Sequence, residues 1–113
     1  IYAGADFLLM PSKSEPCGLS QLIAMRYGTI PIVRETGGLV DTVPPINTET
    51  LDGRGFTFKV FNAHDMLGAI ERAVAFYGDK TKLSAFRTRI MKYDSSWKIP
   101  ADTYMGIYNE LVN

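Results

Sequence analysis

Three short apolar runs, each closed by turn residues and separated from the next by a segment of helical period, constrain this chain more than any other feature. Asp6 to Met10 (DFLLM) stops at Pro11-Ser12, Ile30 to Val33 runs toward Thr36-Gly37-Gly38, and Phe56 to Val60 (FTFKV) follows a polar, Gly-containing stretch from Asn47 to Gly55. A continuous apolar run of this length fits a strand buried on both faces, as in parallel sheets. FTFKV alternates instead, which predicts a shorter or edge strand. Pro31 is tolerable only near the start of its strand.

The intervening segments read as helices. Gly18 to Tyr27 places Leu19, Leu22, Ile23 and Arg26 at helical spacing, and Gly28 follows as a terminator. Leu39 to Val43 predicts a short helix stopped by Pro44-Pro45. Asn62 can cap a helix from Ala63 to about Tyr77, with Asp65 in its first turn and Met66, Leu67, Ile70, Val74 and Tyr77 as its apolar stripe. Asp79 can cap another ending near Met91. A final helix, from about Trp97 to Val112, carries Tyr104, Ile107, Tyr108 and Leu111 on one face, with Pro100 in its first turn. Strands alternating with helices predict an α/β fold, a Rossmann-like parallel sheet flanked by helices. In such sheets ligands bind beyond the carboxyl ends of the strands. The loops Pro11 to Cys17 and Arg34 to Gly38 lie at two such ends.

A chain of 113 residues suits one domain. Its opening, Ile1 to Ala5, has no capping residue and reads as the last turn of a helix begun earlier, so the expectation is a piece of a longer protein. With 12 basic and 12 acidic residues there is no general electrostatic case for nucleic acid or an anionic membrane. No apolar run approaches the roughly 20 residues of a membrane span. A single cysteine excludes an internal disulfide and points to the cytoplasm. One histidine, no cysteine pair, and Asp41 and Asp52 without ligand spacing predict no metal site.

The first loop, Pro11-Ser12-Lys13-Ser14-Glu15-Pro16-Cys17-Gly18, enters a helix start. Unpaired N–H groups of Gly18, Leu19 and Ser20 there can hold phosphate or sugar hydroxyls, and Pro16 restricts Glu15 to extended geometry beside them. The bland alternative makes Glu15 a surface loop residue, Gly18 a turn residue and Ser20 a polar first-turn residue. Cys17 at a helix start invites a thiol-nucleophile reading, but His64 shows no dyad spacing, so a packed or pocket-lining cysteine is the expectation. Lys13, Arg26 and Arg34 read as solvated residues. Trp97, Tyr104 and Tyr108 read as packing rather than as a sugar platform.

The order of motifs adds to this. EPCGLSQL, a helix ending in YGT, the strand PIV, then TGGLVDTV and a closing DSSW with Tyr104 and Tyr108, resembles the C-terminal domain of the bacterial glycogen synthase and plant starch synthase family. The resemblance covers the whole chain. It implies a two-domain GT-B glycosyltransferase in which residues 1–113 are part of the C-terminal nucleotide-sugar-binding domain, with the N-terminal domain and the first part of this domain absent. The implied activity is retaining transfer of glucose from ADP-glucose to the non-reducing end of an α-1,4-glucan, without metal or cofactor. It implies Glu15 as the carboxylate facing the donor glucose, the Cys17 and Gly18 backbone as its hydroxyl contacts, and Leu19 and Ser20 N–H groups toward the diphosphate. Thr36, Gly37 and Gly38 would shape the donor pocket. Related retaining enzymes carry a second glutamate at the position held here by Ile23, a departure that favours the glucan branch over sucrose or lipid glycosylation. The last helix is expected to support the missing domain, and its exposed face makes an artefactual dimer of the isolated chain an expectation. The competing readings are a non-catalytic nucleotide- or glucan-binding module, a GT-B enzyme using another donor, and a flavodoxin-like structural domain.

Overall fold

Apolar β-branched and aromatic residues pair as predicted, into a three-stranded parallel sheet of order β1–β2–β3. The computed structural model describes every residue from Ile1 to Asn113. Strand β1 is Phe7–Met10, β2 is Ile30–Arg34 and β3 is Phe56–Phe58. Phe7 faces Ile30 across the first pair, and Ile32 faces Phe56 across the second. Helix α1 (Ser20–Arg26) joins β1 to β2, and α2 (Gly38–Thr42) precedes the long loop to β3. Helices α3 (Ala63–Tyr77), α4 (Lys80–Met91) and α5 (Lys98–Val112) follow. No helix is long and apolar enough to cross a membrane.

One face of the sheet carries the main core, in which Ile30, Ile32, Phe56 and Phe58 meet Met25 of α1, Ala69, Ala73 and Phe76 of α3, and Leu83, Phe86 and Ile90 of α4. Aromatic edges link these layers, with Phe56 against Phe76 at 5.7 Å between ring centres and Phe76 against Phe86 at 5.8 Å. The opposite face is covered at its carboxyl end by Leu39 and Val43 on Val33.

Four expectations change. Strand β1 is not buried on both faces: it lies at the sheet's edge with a neighbour on one side only, and Leu9 remains 40% exposed. Strand β3 is short, but its alternation does not expose Thr57, which is buried because both faces are covered; its hydroxyl donates to Glu35 Oε1 at 2.7 Å. Helix α3 shifts its inward face, burying Ala69, Ala73 and Phe76 with Met66 and Ile70 packed at its border, while Leu67 and Val74 stay exposed. Likewise α1 buries Gln21, Ala24 and Met25 and leaves Leu19 and Ile23 outside. In both helices alanines let the backbone approach the core closely, and Leu19, Ile23, Leu67 and Val74 are displaced outward. The opening segment is a single 3-10 turn, Tyr2–Gly4, whose Tyr2 and Ala5 carbonyls take the buried Thr29 hydroxyl.

Both predicted caps form. Asn62 accepts from the Asp65 N–H at 2.7 Å and Asp79 accepts from the Lys82 N–H at 3.1 Å. Asp65 also ends β3, since its carboxylate accepts from the N–H groups of Val60 (2.7 Å) and Lys59 (2.9 Å). These two bonds, Val60's first, hold the Asp65 carboxyl below its ordinary value of 3.8. A group depressed on folding adds stability above its unfolded pKa and loses it as pH falls through the folded one. Acid titration of urea midpoints should therefore show a steeper loss below about pH 4 in the wild type than in Asp65→Asn. Parallel acid curves would remove Asp65 from the account.

Candidate functional site

Because the strands are parallel, the chain leaves β1 and β2 at the same edge of the sheet, and the loops that follow must meet there. They do so backbone to backbone. The Gly38 N–H donates to the Glu15 carbonyl at 3.1 Å. Gly37 adopts φ 50°, and a Cβ built on it would lie 1.9 Å from the Glu15 oxygen. A Cβ on Gly38 would lie 2.7 Å from both the Cys17 Cα and the Pro16 oxygen. Two glycines in sequence are thus what lets the Thr36–Gly38 turn close on the Glu15–Gly18 loop.

The structure brings together Glu15, Cys17, Gly18, Leu19 and Ser20 with Thr36, Gly37 and Gly38 along this edge. Gly18, at φ 80°, turns the chain into α1. The N–H groups of Cys17, Gly18, Leu19 and Ser20 donate to no protein acceptor, nor do those of Thr36 and Gly37. Six neutral donors on two adjoining loops are therefore left without a protein acceptor along this edge, a surface suited to oxygen-rich anions and hydroxyls. The Glu15 carboxylate, half-buried, receives no hydrogen bond or ion pair from the chain. Leu19 contributes backbone only, because its side chain borders a separate cleft with Leu22, Ile23 and Tyr27. Cys17 is exposed, its thiol 3.7 Å from the Gly18 carbonyl. His64 stands in the first turn of α3, outside this edge.

Three residues that the sequence left aside hold the loops in place. Gln21, fully buried, donates through Nε2 to the carbonyls of Cys17 (2.9 Å) and Gly18 (2.8 Å) and to Thr42 Oγ1 at 3.1 Å. Thr42 in turn donates to the Gly38 carbonyl at 2.9 Å. Arg34 is a clamp rather than a solvated charge: Nη1 donates to the Lys13 carbonyl at 2.8 Å, Nε donates to that of Lys59 at 3.1 Å, and the guanidinium lies over Phe61. Beside it an open apolar cleft of about 340 Å³ is walled by Pro11, Phe58, Phe61 and Met66. Gln21 had a signal in the sequence, as the polar member of the 21, 24, 25 face.

No protein-family model matches the chain. It is 58% identical over 112 residues to the glycogen synthase of Anoxybacillus flavithermus, covering 99% of this chain and 23% of that protein. Against the glycogen synthase of Clostridium novyi the identity is 53% over 113 residues, covering 100% of this chain and 24% of the relative. Among solved structures it is similar to the catalytic domain of starch synthase IV from Arabidopsis thaliana bound to ADP and acarbose. That match has a TM-score of 0.83 and 40% identity, over 97% of this chain and 23% of that one. It is also similar to a sucrose-phosphate synthase from Thermosynechococcus elongatus, at a TM-score of 0.67 and 29% identity, over 98% of this chain and 26% of that one. The chain spans about a quarter of the length of the curated relatives it matches.

The glycine contacts make a contrast that urea midpoints can check. Gly38→Ala should destabilise by about 1–3 kcal/mol, since backbone atoms of the facing loop must move. Gly68→Ala, in α3 with nothing within 4 Å of the added carbon, should stabilise by about 0.5–1 kcal/mol. If both substitutions shift stability alike, the two loops are not in the contact described.

Proposed function

Because the chain belongs to the glycogen synthase and starch synthase family, we propose that it is part of the C-terminal, nucleotide-sugar-binding domain of a retaining glucosyltransferase. The enzyme transfers glucose from ADP-glucose to the non-reducing end of an α-1,4-glucan in the cytoplasm. The observation that carries this reading is the closure of the Thr36–Gly38 turn on the Glu15–Ser20 loop. It turns two separate strand ends into one surface of free N–H donors beside a carboxylate. The relative solved with ADP supports an ADP-linked donor.

In the proposed reaction the bond between the glucose anomeric carbon and the donor phosphate oxygen breaks, ADP leaves, and an acceptor hydroxyl oxygen forms the new glycosidic bond, its proton passing to the departing phosphate. Negative charge grows on the departing diphosphate while positive charge grows at the sugar. N–H groups of Leu19 and Ser20 face the first, and the Glu15 carboxylate faces the second. Fixed dipoles of this kind need no reorganisation at the moment of transfer. The Cys17 and Gly18 backbone holds the glucose hydroxyls, and the Thr36–Gly38 turn bounds the pocket. Catalysis requires the upstream part of the protein in cis, which brings the basic groups that grip the diphosphate and an N-terminal domain that carries the acceptor surface and against which α5 packs. Isolated, the 113-residue chain is inactive, and its exposed α5 face favours an artefactual dimer.

The test is glucose transfer to glycogen from ADP-glucose and from UDP-glucose by the full-length protein carrying this segment. Glu15→Ala and the isolated 113 residues serve as controls. Transfer from ADP-glucose by the wild type, reduced by at least about 100-fold in Glu15→Ala and absent from the isolated chain, is the expected result. A wild type inactive with both donors, or an undiminished Glu15→Ala, would sink the reading.

A further inference from the structure

The buried side chain of Gln21 has no packing reason to be an amide. It is fully shielded from solvent, and its neighbours on the inner face of α1, Ala24 and Met25, are apolar. Its Oε1 has no hydrogen-bond partner. A buried carboxamide with one end unpartnered is costly, and a methionine of similar length would avoid that cost. What the amide supplies is on its other end. Nε2 has two hydrogens and faces three acceptors, the carbonyls of Cys17 and Gly18 and the hydroxyl oxygen of Thr42. Thr42 passes its own hydrogen to the Gly38 carbonyl. The result is a continuous connection from the loop after β1, through Gln21 and Thr42, to the turn after β2.

We propose that Gln21 is a positioning residue of the donor site, setting through Thr42 the spacing between the Cys17–Gly18 backbone and the Gly37–Gly38 turn. The inference rests on the donor-site reading above. Gln21 touches no substrate in this assignment; it fixes the carbonyls on the inner side of the loop, so that the N–H groups of the same peptides face outward. Oε1 also lies 2.6 Å from where a Gly18 Cβ would be, so the amide and the glycine occupy this space together. The Gly38-to-Glu15 backbone bond closes the same gap from the outside. The two loops are therefore pinned at two points, one backbone and one side chain.

The experiment uses the full-length protein with Gln21→Met, which keeps length and burial but removes the donor, and Thr42→Val, which keeps the shape of Thr42 but breaks only the far link. Two readouts are taken. With ADP-glucose varied, kcat/KM should fall about 10- to 100-fold in Gln21→Met, as expected for a small displacement of site groups, while the KM for glycogen stays unchanged. Amide hydrogen exchange should speed up at Cys17 to Ser20 and Gly37 to Leu39 in both variants and remain unchanged in α3 and α4. The two substitutions should be less than additive, because they interrupt one connection. Exchange that is unchanged at those amides, or raised throughout the domain, would make Gln21 a core filler and overturn the proposal; so would equal shifts in donor and glycogen constants. Should the wild type transfer no glucose, the functional reading falls by itself, and the exchange pattern still decides whether Gln21 and Thr42 hold the loops.

Discussion

The structure depends on the burial of β2. Its first four residues, Ile30, Pro31, Ile32 and Val33, are all shielded from solvent, and both of its edges are paired. A strand enclosed on two faces and two edges has no freedom of register, because a one-residue slip would turn Ile30 and Ile32 away from the main core and Pro31 and Val33 into it. Pro31 is accommodated because it comes second in the strand, next to Gly55, whose missing side chain leaves room for the Pro31 oxygen. From this fixed strand the chain passes directly through Arg34 and Glu35 into the Thr36–Gly38 turn. The site edge therefore takes its position from the best-packed element of the fold rather than from the loops that form it.

Two side chains at the end of β2 extend that rigidity sideways. Arg34 ties the carbonyls of Lys13 and Lys59, one on each flanking connection, and Glu35 ties the Thr57 hydroxyl on β3. Charged groups that would otherwise face solvent thus spend their hydrogen bonds on backbone and hydroxyl partners near the strand ends. The cost is that the Arg34 charge is committed, which leaves Lys13 as the free cation of the loop. Helix α1, only seven residues long, adds a small dipole. The free donors along the edge are neutral N–H groups, good at orienting phosphate or sugar oxygens and weak at attracting them from solution.

Much of this was legible in the sequence. The apolar runs, the Asn62 and Asp79 caps and the Gly28 stop give every element within a few residues, because backbone hydrogen bonding and capping are local. The Glu15–Ser20 and Thr36–Gly38 segments were legible too, since motif order and parallel topology both place them at strand ends. Which face of a helix goes inward was less so. Weighting Leu, Ile and Val over Ala selects Leu67 and Val74 on α3, and Leu19 and Ile23 on α1, yet close approach to a sheet favours the alanines. The roles of Gln21, Thr42 and Arg34 were hidden for another reason: Gln21 meets Thr42 across 21 positions, and Arg34 reaches the carbonyls of Lys13 and Lys59, relations that no periodicity encodes.

The same face choice bears on how the proposed enzyme would work. With alanines inward, Leu19 and Ile23 of α1 and Leu67 and Val74 of α3 stand outward, and α5 buries nothing while leaving Trp97, Ile99, Tyr104, Ile107, Tyr108 and Leu111 largely exposed. That is more apolar surface than isolated exposed residues account for. The donor edge shows the complementary imbalance, with hydrogen-bond donors and a carboxylate but a single free cation, Lys13, too little charge to balance a diphosphate. A transferase that assembles its site between two domains needs both features, an apolar seam to bring the domains together and a half-site that is poor alone. If the upstream sequence supplies the remaining cations and the opposing domain covers them, the donor is fully enclosed only on closure. Water then leaves the site as charge develops, when the fixed N–H dipoles of residues 17 to 20 have their greatest effect.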